Sequence, residues 1–369
     1  MNFSSNMIRT INFNLSQSSI EFLRNDWHNY IKKIPKYPVG KFNGKGVVFT
    51  AGGVSYISCL WVSINSLRDS GCELPIEVWY LGNEISIDMM KCFSDLHVDF
   101  RDFNEIETTY HVGYHLKPLA ILHSRFKEVL FMDADNICVG NPETLFKVEE
   151  YMRTGTIFWP DYWYTDRSNP IWEIIESNAF ETKEQESGQI LINKEVCWRE
   201  LNLCSYFNKM GKYYYKFLYG DKDTFKFSWQ ALKTEYFMIR KGPSSCGISV
   251  DKIFYGNTMI QYDDKSQIAF LHRNLMKWDV TLLHERFWRE IKSFKEDASN
   301  QKVLLKNNRG VGSIDLAGDT TLNYVSNEIV NLETRCLGYL EKLRNYPEYL
   351  KFFEYMHFVN KGKSLVKHF

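Results

Sequence analysis

The sequence predicts an α/β fold with a mostly parallel central sheet flanked by helices. Short β-branched and aromatic runs alternate with segments in which apolar residues recur at the helical period. The run 46–49 stops at a glycine-containing turn, and a helical stretch with one apolar face follows over 57–67. Buried strands that alternate with helices are typical of βαβ units, because crossover helices cover both faces of a parallel sheet.

The same pattern continues along the chain. Further strands are predicted at 76–81, 97–100, 128–132, 156–159 and 189–192, and helices at 87–96, 116–126, 171–178, 196–210 and 224–232. A helix over 18–34, with a serine to cap it and prolines to end it, defines a helical N-terminal extension, 1–43. The α/β domain is expected over 44–280. Helices at 282–294 and 322–343 predict a mainly helical C-terminal extension, 281–369.

Composition narrows the class of protein. The 369 residues are 44% hydrophobic and 24% charged, which is typical of a folded domain. Lys+Arg and Asp+Glu both number 45, and this balance argues against nucleic-acid binding, which needs a basic excess. Eight cysteines include no Cys-x-x-Cys pair, so reduced thiols are the simpler interpretation, although disulfides remain open. We find neither an apolar run of about 18 residues nor a signal peptide.

The strongest chemical signal is an Asp-Ala-Asp motif directly after a predicted strand. The apolar run 128–132 ends at Asp133 and Asp135. In an open α/β sheet, ligands bind beyond the carboxyl ends of the strands. Two carboxylates there suit a hard divalent cation that also binds phosphate oxygens. A solvated acidic turn is the alternative, since Asp is common in turns.

Two further features point to a nucleotide and a metal. The turn 50–53, Thr-Ala-Gly-Gly, follows a strand and opens a helix, where a bare backbone and the helix N-terminus favour phosphate. It lacks the complete dinucleotide-binding and P-loop patterns, which argues against NAD binding and ATP hydrolysis. His272 ends the run 268–271 and could complete a metal shell as a neutral imidazole, with a structural role as the alternative.

An ordered set of short motifs carries a family resemblance. The motifs are Gly46–Gly53, Leu74–Tyr80, Leu116–Ala120, Lys127–Asn136, Phe158–Asp161, Glu186–Gln189, Gly220–Phe225 and Phe270–His272. In this order they resemble the fungal α-mannosyltransferases of glycosyltransferase family 71 and, more distantly, the retaining glycogenin-like transferases. The resemblance implies a Rossmann-like GT-A fold, a retaining transfer and a divalent metal, Mn²⁺ or Mg²⁺.

The resemblance also implies roles for individual residues. The implied metal ligands are Asp133, Asp135 and His272. The implied contacts with the nucleotide-sugar donor are Thr50, Ala51, Gly52, Gly53, Lys117, Asp133, Asp161, Ser187 and Gly188.

Three residues are implied at the reaction centre: Glu186, Asp221 and Lys222. Asp221 corresponds to a residue that binds donor-sugar hydroxyls, with a helix cap as the alternative. Lys222 falls where some relatives place a side chain beneath the anomeric carbon, but an ammonium group is no nucleophile. We therefore expect the acceptor hydroxyl to attack beside the departing diphosphate. Glu186 as a covalent nucleophile or base is the alternative.

The expected enzyme transfers a hexose, mannose first, from GDP-mannose or a UDP-sugar to a glycan or other hydroxyl acceptor. A UDP-sugar-dependent glucosyl- or N-acetylglucosaminyltransferase and a non-catalytic sugar-nucleotide-binding module are the alternatives. A nucleotidyltransferase would carry basic residues in its first loop, and a dehalogenase-type phosphatase would carry Asp-x-Asp on its first strand. Typical relatives are anchored in the Golgi membrane. Without an anchor, the chain as given is expected in a cytoplasm, or in the Golgi lumen only if truncated.

Overall fold

The computed structural model of the protein describes residues 1–106, 116–280, 286–308, 311–351 and 354. Its strands are β1 (Asn2–Phe3), β2 (Ile8–Thr10), β3 (Lys45–Thr50), β4 (Ile76–Tyr80), β5 (Val98–Asp102), β6 (Glu128–Asp133), β7 (Asn136–Cys138), β8 (Thr156–Thr165), β9 (Lys183–Asn193), β10 (Phe237–Met238), β11 (Ser244–Val250), β12 (Ile253–Tyr262), β13 (Ile268–His272), β14 (Glu290–Phe294), β15 (Gln301–Asn308), β16 (Val311–Gly318) and β17 (Thr320–Tyr324). Its α-helices are α1 (Gln17–Ile31), α2 (Gly53–Asp69), α3 (Ile87–Lys91), α4 (Leu116–His123), α5 (Glu149–Thr154), α6 (Ile171–Ile174), α7 (Trp198–Lys209), α8 (Gly211–Tyr214), α9 (Lys222–Ala231) and α10 (Asn327–Arg344).

The first sheet has the strand order β1-β2-β8-β9-β6-β3-β4-β5. The run β6-β3-β4-β5 is parallel throughout, and β9 joins it antiparallel to β6. Val47, Val48 and Phe49 in β3 have no exposed surface, as expected for a parallel strand covered on both faces. The predicted α/β class with a mostly parallel sheet is confirmed.

Helix α2 covers one face of this sheet. Its predicted apolar face is confirmed, because Ile57, Leu60, Ile64 and Leu67 are all fully buried in one core with the strands. The C-terminal helix α10 joins the same core through its own apolar face. Side chains at i, i+3, i+4 and i+7 share a helix face, so the period alone specified which residues pack inward.

The N-terminal extension is only partly helical. Helix α1 forms as predicted, with the Ser16 hydroxyl accepting from the backbone N–H of Ser19 at 3.2 Å. The residues before it were not expected to form strands, yet β2 pairs parallel to β8, with Arg9 opposite Thr165. This pairing extends the central sheet, because β8 would otherwise leave backbone groups unpaired at its edge.

The expectation of a mainly helical segment after residue 280 was wrong. A second sheet, with the order β15-β16-β12-β11-β14-β17, takes up most of 290–324. Short polar strands of this kind are stabilised by pairing with strands distant in sequence, which local periodicity does not show. The helix predicted at 322–343 is confirmed as α10, which begins at Asn327. The first part of the predicted helix 282–294 lies in 281–285, outside the described residues.

Domain limits at 43 and 280 stay predictions. Strands β12 and β13 precede residue 280, while their sheet continues through β14 and β16, which follow it. All eight cysteines are buried free thiols, which agrees with the simpler interpretation of their spacing. Among the described residues, no helix combines the length and apolar character that crossing a membrane requires.

Candidate active site

Strand ends bring the predicted residues together. Asp133 ends β6 directly beside Thr50, which ends the parallel strand β3. After the turn at Ala134 and Asp135, the short strand β7 pairs antiparallel with β13, and this pairing sets His272 opposite Asn136. The turn and the β7–β13 pairing therefore place His272, which is distant in sequence, beside the Asp-Ala-Asp motif.

The side chains around this point form a compact group, here called the His272 cluster and consisting of Asp133, Asp135, Glu186 and His272. In the parts of the chain that the structure describes, ligand atoms of Asp133, Glu186 and His272 all lie within 4.8 Å of one another. His272 Nε2 lies 3.1 Å from Asp135 Oδ1 and 4.0 Å from Asp133 Oδ2. His272 Nδ1 lies 3.1 Å from Glu186 Oε1.

These spacings fit a shared cation. Ligand atoms around an octahedral ion with bonds near 2.1 Å are about 3 to 4 Å apart. The distances from His272 Nε2 to the Asp135 and Asp133 oxygens, 3.1 and 4.0 Å, lie within that range. Carboxylate oxygens with one imidazole also form a donor set that suits Mn²⁺ or Mg²⁺. The residues present therefore fit the metal that the family resemblance implies.

Gly188 makes room for the imidazole. A Cβ atom at this position would lie 2.4 Å from His272 Nδ1 and 2.9 Å from Glu186 Oε1. Both distances are below any van der Waals contact, so a side chain at 188 would push the ring away from Glu186. Glycine is therefore needed at position 188, one of the predicted site residues, because the His272 ring packs directly against its Cα.

Charge in the cluster is unbalanced. Burial alone would lower the pKa of His272, but Glu186 and Asp135 raise it well above its ordinary value. Burial raises the pKa of Asp133, whereas His272 and Lys277 hold that of Asp135 below its usual range despite its burial. Lys277 forms an ion pair with Asp135. These opposite shifts indicate a site in which buried carboxylates compete for too few positive groups.

Lys117 lies between the cluster and its neighbours. Its Nζ is 3.0 Å from Asp133 Oδ1 and 3.3 Å from Asp221 Oδ2, and it donates to the Ser187 hydroxyl and carbonyl at 2.9 Å each. Burial lowers the pKa of Lys117, but the two aspartates reverse this and raise it above its ordinary value. Lys117 is therefore a protonated amine that Asp133, Asp221 and Ser187 fix at the centre of the site.

Asp221 does not act as a helix cap. It stands at the N-cap position of α9 without a capping hydrogen bond from its side chain. Its carboxylate instead accepts from the Ser187 hydroxyl at 3.4 Å and pairs with Lys117. The alternative of a cap-only residue is therefore wrong for the side chain, which faces the site.

A second group, here called the Lys222 network, consists of Arg9, Asp161, Glu184, Lys222, Asp223 and Lys226. Lys222 Nζ lies 2.7 Å from Asp161 Oδ2, 2.5 Å from Glu184 Oε2 and 3.4 Å from Asp223 Oδ2. Burial raises the pKa of Glu184, but Lys222 and Arg9 outweigh it and lower the pKa to about 2. The predicted Asp161 and Lys222 thus meet as a charged pair.

Sequence reasoning missed three residues at the site: Arg9, Glu184 and Lys277. Glu184 had a usable signal, because it lies two residues before Glu186 on a strand and therefore shares its face. Lys277 follows His272 by five residues and could have been noted as a nearby cation. Arg9 lies 175 residues from its partner Glu184, and no local pattern marks such a pair.

The predicted nucleotide turn lies beside the cluster. Gly53 has φ +72°, a left-handed conformation that favours glycine, and it begins α2. Gly52 packs so closely on Glu84 that a Cβ would lie 2.2 Å from its carboxylate. Ala51 follows Thr50 at the end of β3 and is buried. All four predicted turn residues therefore stand at the edge of the sheet that carries Asp133.

This α/β sheet, with a carboxylate–imidazole cluster at its strand ends, has the architecture that the resemblance to glycosyltransferases implies. The family described as "Mannosyltransferase putative" matches residues 44–185 and 177–263, more than half of the chain. The chain belongs to this mannosyltransferase family. The matched ranges contain every predicted site residue except His272.

Individual relatives agree with this assignment. Alpha-1,2-mannosyltransferase MNN21 of Candida albicans is 27% identical over 334 residues, which cover 70% of this chain and 48% of MNN21. Alpha-1,2-mannosyltransferase MNN5 of Saccharomyces cerevisiae is 26% identical over 339 residues, which cover 73% of this chain and 57% of MNN5. The chain spans about half the length of these relatives.

Solved structures show a partial likeness. The galactosyltransferase LgtC, solved in complex with donor and acceptor sugar analogues, matches 50% of this chain and 70% of its own, with 18% sequence identity and a TM-score of 0.37.

Proposed function

We propose that this chain is a metal-dependent, retaining α-mannosyltransferase that transfers mannose from GDP-mannose to a hydroxyl group of a glycan. The observation that carries the proposal is the His272 cluster beside the carboxyl ends of β3 and β6, where ligands bind in open α/β sheets. Membership of the mannosyltransferase family and the names of its relatives support mannose as the transferred sugar.

In this proposal Asp133, Asp135 and His272 hold the metal, and Glu186 orients the imidazole. Donation from His272 Nδ1–H to Glu186 Oε1 leaves the lone pair of Nε2 facing the two aspartates. Glu186 already accepts from the Gly188 N–H at 2.7 Å and the Gln189 amide at 3.0 Å, which favours orientation over direct ligation. When bound, the cation neutralises negative charge on the diphosphate leaving group.

The residues around the cluster suit the remaining parts of the donor. Thr50, Ala51, Gly52 and Gly53 are assigned to the nucleoside side of the donor, because they lead into the N-terminus of α2, and helix N-termini favour phosphate. The carboxylates of Asp161 and Asp221 accept hydrogen bonds from donor-sugar hydroxyls. Lys117 and Lys277 add positive charge next to the ligands, and Ser187, which accepts from Lys117, and Gly188 are assigned to contacts with the donor.

Transfer with retention then requires no protein nucleophile. The acceptor oxygen bonds to the anomeric carbon on the face from which the phosphate oxygen leaves, and the acceptor proton passes to the leaving diphosphate. Lys222 is a protonated amine among three carboxylates, so it shapes the pocket and does not attack. Glu186 is a poor nucleophile because both of its oxygens already accept hydrogen bonds.

Turnover tests this proposal directly. The protein would be incubated with manganese, an α-mannoside acceptor and, separately, GDP-mannose, UDP-glucose, UDP-N-acetylglucosamine or UDP-galactose. We expect GDP release only with GDP-mannose and metal, and a product whose new linkage is α by NMR. Turnover of a UDP-sugar alone would replace the donor, a β-linked product would refute retention, and binding without turnover would indicate a non-catalytic module.

Matched variants complete the test. Asp135→Asn removes one charge from the cluster, whereas Asp264→Asn removes one from an exposed turn between β12 and β13. The proposal requires loss of turnover in the first variant and wild-type turnover in the second.

A further inference from the structure

The N-terminal strand β2 reaches a buried charged network on β9 and α9. It pairs parallel to β8, with Ile8 opposite Tyr164 and Arg9 opposite Thr165. The family match begins only at residue 44, so this strand lies outside the part of the chain that matches the family. Its Arg9 side chain is nevertheless buried in the charged network that contains Asp161, which is on β8.

Arg9 is fully buried and all of its nitrogen atoms have polar partners or neighbours. Its Nε donates to Glu184 Oε1 at 2.5 Å, and its Nη1 donates to the Phe217 carbonyl at 2.9 Å. Its Nη2 donates to the Thr165 hydroxyl at 3.1 Å and lies 3.8 Å from Asp223 Oδ2. One guanidinium thus ties together β8, β9 and the chain on both sides of the start of α9.

Glu184 connects Arg9 to the proposed donor site. Its Oε1 faces Arg9, while its Oε2 lies 2.5 Å from Lys222 Nζ. Lys222 in turn pairs with Asp161 at 2.7 Å. Arg9 is therefore linked to the carboxylate assigned to the donor sugar through one glutamate and one lysine.

Loss of Arg9 would change which groups Lys222 contacts. Asp223 Oδ2 is buried without a hydrogen-bond partner, and its ion-pair neighbours among the described residues are Arg9 Nη2 at 3.8 Å and Lys222 Nζ at 3.4 Å. Without the guanidinium, Glu184 and Asp223 would be left short of positive charge in a buried site, which is costly. Lys222 would then be drawn toward them and away from Asp161.

We propose that Arg9 is a positioning residue for the donor-sugar pocket, so that the N-terminal segment forms part of the active site. This inference rests on the proposed function. Arg9 touches no reacting atom. It balances Glu184 and Asp223, which keeps Lys222 paired with Asp161 and keeps the Asp161 carboxylate in place for a sugar hydroxyl.

The test compares Arg9→Met with Arg9→Lys in the full chain. Arg24→Met is the matched control, because Arg24 is a partly exposed arginine of the same N-terminal segment that pairs with Glu173 and not with the network. Three quantities are measured for each protein: the affinity for GDP with manganese by calorimetry, KM for GDP-mannose, and kcat. Thermal unfolding shows which variants fold.

A positioning role predicts a split between these quantities. For Arg9→Met we expect GDP–manganese affinity to stay within about twofold of wild type, while kcat/KM for GDP-mannose falls about 30-fold, since only the sugar side is disturbed. Arg9→Lys should recover part of the loss, because it restores charge without the guanidinium's fixed geometry. The Arg24→Met control should match wild type in all three.

Other outcomes overturn the inference. Unchanged kcat/KM in a folded Arg9→Met protein, or an equal loss of GDP–manganese affinity and turnover, would make Arg9 merely structural. If Arg9→Met does not fold, Arg9→Lys decides by the same split. Absence of wild-type turnover with all four donors would instead refute the proposed function, and this inference with it.

Discussion

The His272 cluster and the Lys222 network are neighbours on β9, where Glu186 belongs to the first and Glu184 to the second. In the network, three carboxylates meet three cationic side chains from Arg9, Lys222 and Lys226. Around the cluster, the carboxylates of Asp133, Asp135, Glu186 and Asp221 pair, within the described part of the chain, with Lys117, Lys277 and the imidazole of His272.

This difference separates two kinds of binding. A buried network with matched charges is complete by itself and has no need of an added ion, so it suits neutral partners such as sugar hydroxyls. A buried cluster with excess carboxylate is complete only when further positive charge is supplied. The same strand therefore carries a site for a cation next to a site for an uncharged ligand, and variants should affect the two independently.

The largest effect is expected for Asp135→Asn. This change removes a proposed ligand oxygen's charge and the partner of Lys277, so turnover should fall about 100- to 1,000-fold. The metal-dependent rise in melting temperature with GDP should disappear, while the melting temperature without metal stays near that of wild type. Full activity in this variant would show that the His272 cluster needs no bound cation, and the proposed difference between the cluster and the network would then be wrong.

Lys222→Met should affect the Lys222 network and leave the His272 cluster unchanged. It leaves Asp161, Glu184 and Asp223 with fewer cations, so the free energy of unfolding should fall by about 3 kcal/mol. Turnover should fall with it, yet manganese affinity measured by titration at a temperature where the protein is folded should be unchanged. A parallel loss of manganese affinity would show that the two groups are one site.

Gly188→Ala tests whether space controls the cluster. The added methyl group must displace His272 or Glu186, since its Cβ would lie 2.4 Å from His272 Nδ1. Manganese affinity should fall about 10- to 100-fold, as for other losses of a histidine's orienting partner. Gly140→Ala is the matched control, because nothing lies within 4 Å of a Cβ there. Equal affinities in the two variants would contradict the steric role.

Glu186→Gln should give the smallest change. The amide oxygen can still accept from His272 Nδ1–H, so an orienting role predicts a loss of manganese affinity of no more than about tenfold. Direct ligation by Glu186, or covalent catalysis through it, predicts a far greater loss of affinity or of turnover. A titration and a rate measurement on this variant therefore decide between the three roles.

Local pattern was sufficient for the parts of the fold in which neighbours in sequence pack together. The apolar periodicity of α2 and the buried runs of β3 and β6 identified the layers of the first sheet, because side-chain direction follows directly from helix or strand geometry. The motif at Asp133 and Asp135 was also visible, since a strand followed by acidic residues marks the edge at which ligands bind.

Tertiary structure alone decided the rest. Pairing of β7 with β13 brought His272 to the motif, and pairing of β2 with β8 brought Arg9 to Glu184. Strands of the second sheet formed over most of 290–324, including the end of the segment 282–294 for which a helix was expected. Each depends on which distant strands pair and in which register. Hydrogen bonds between backbones carry no residue identity, so one sequence read alone determines the propensity of a strand but leaves its partner undetermined.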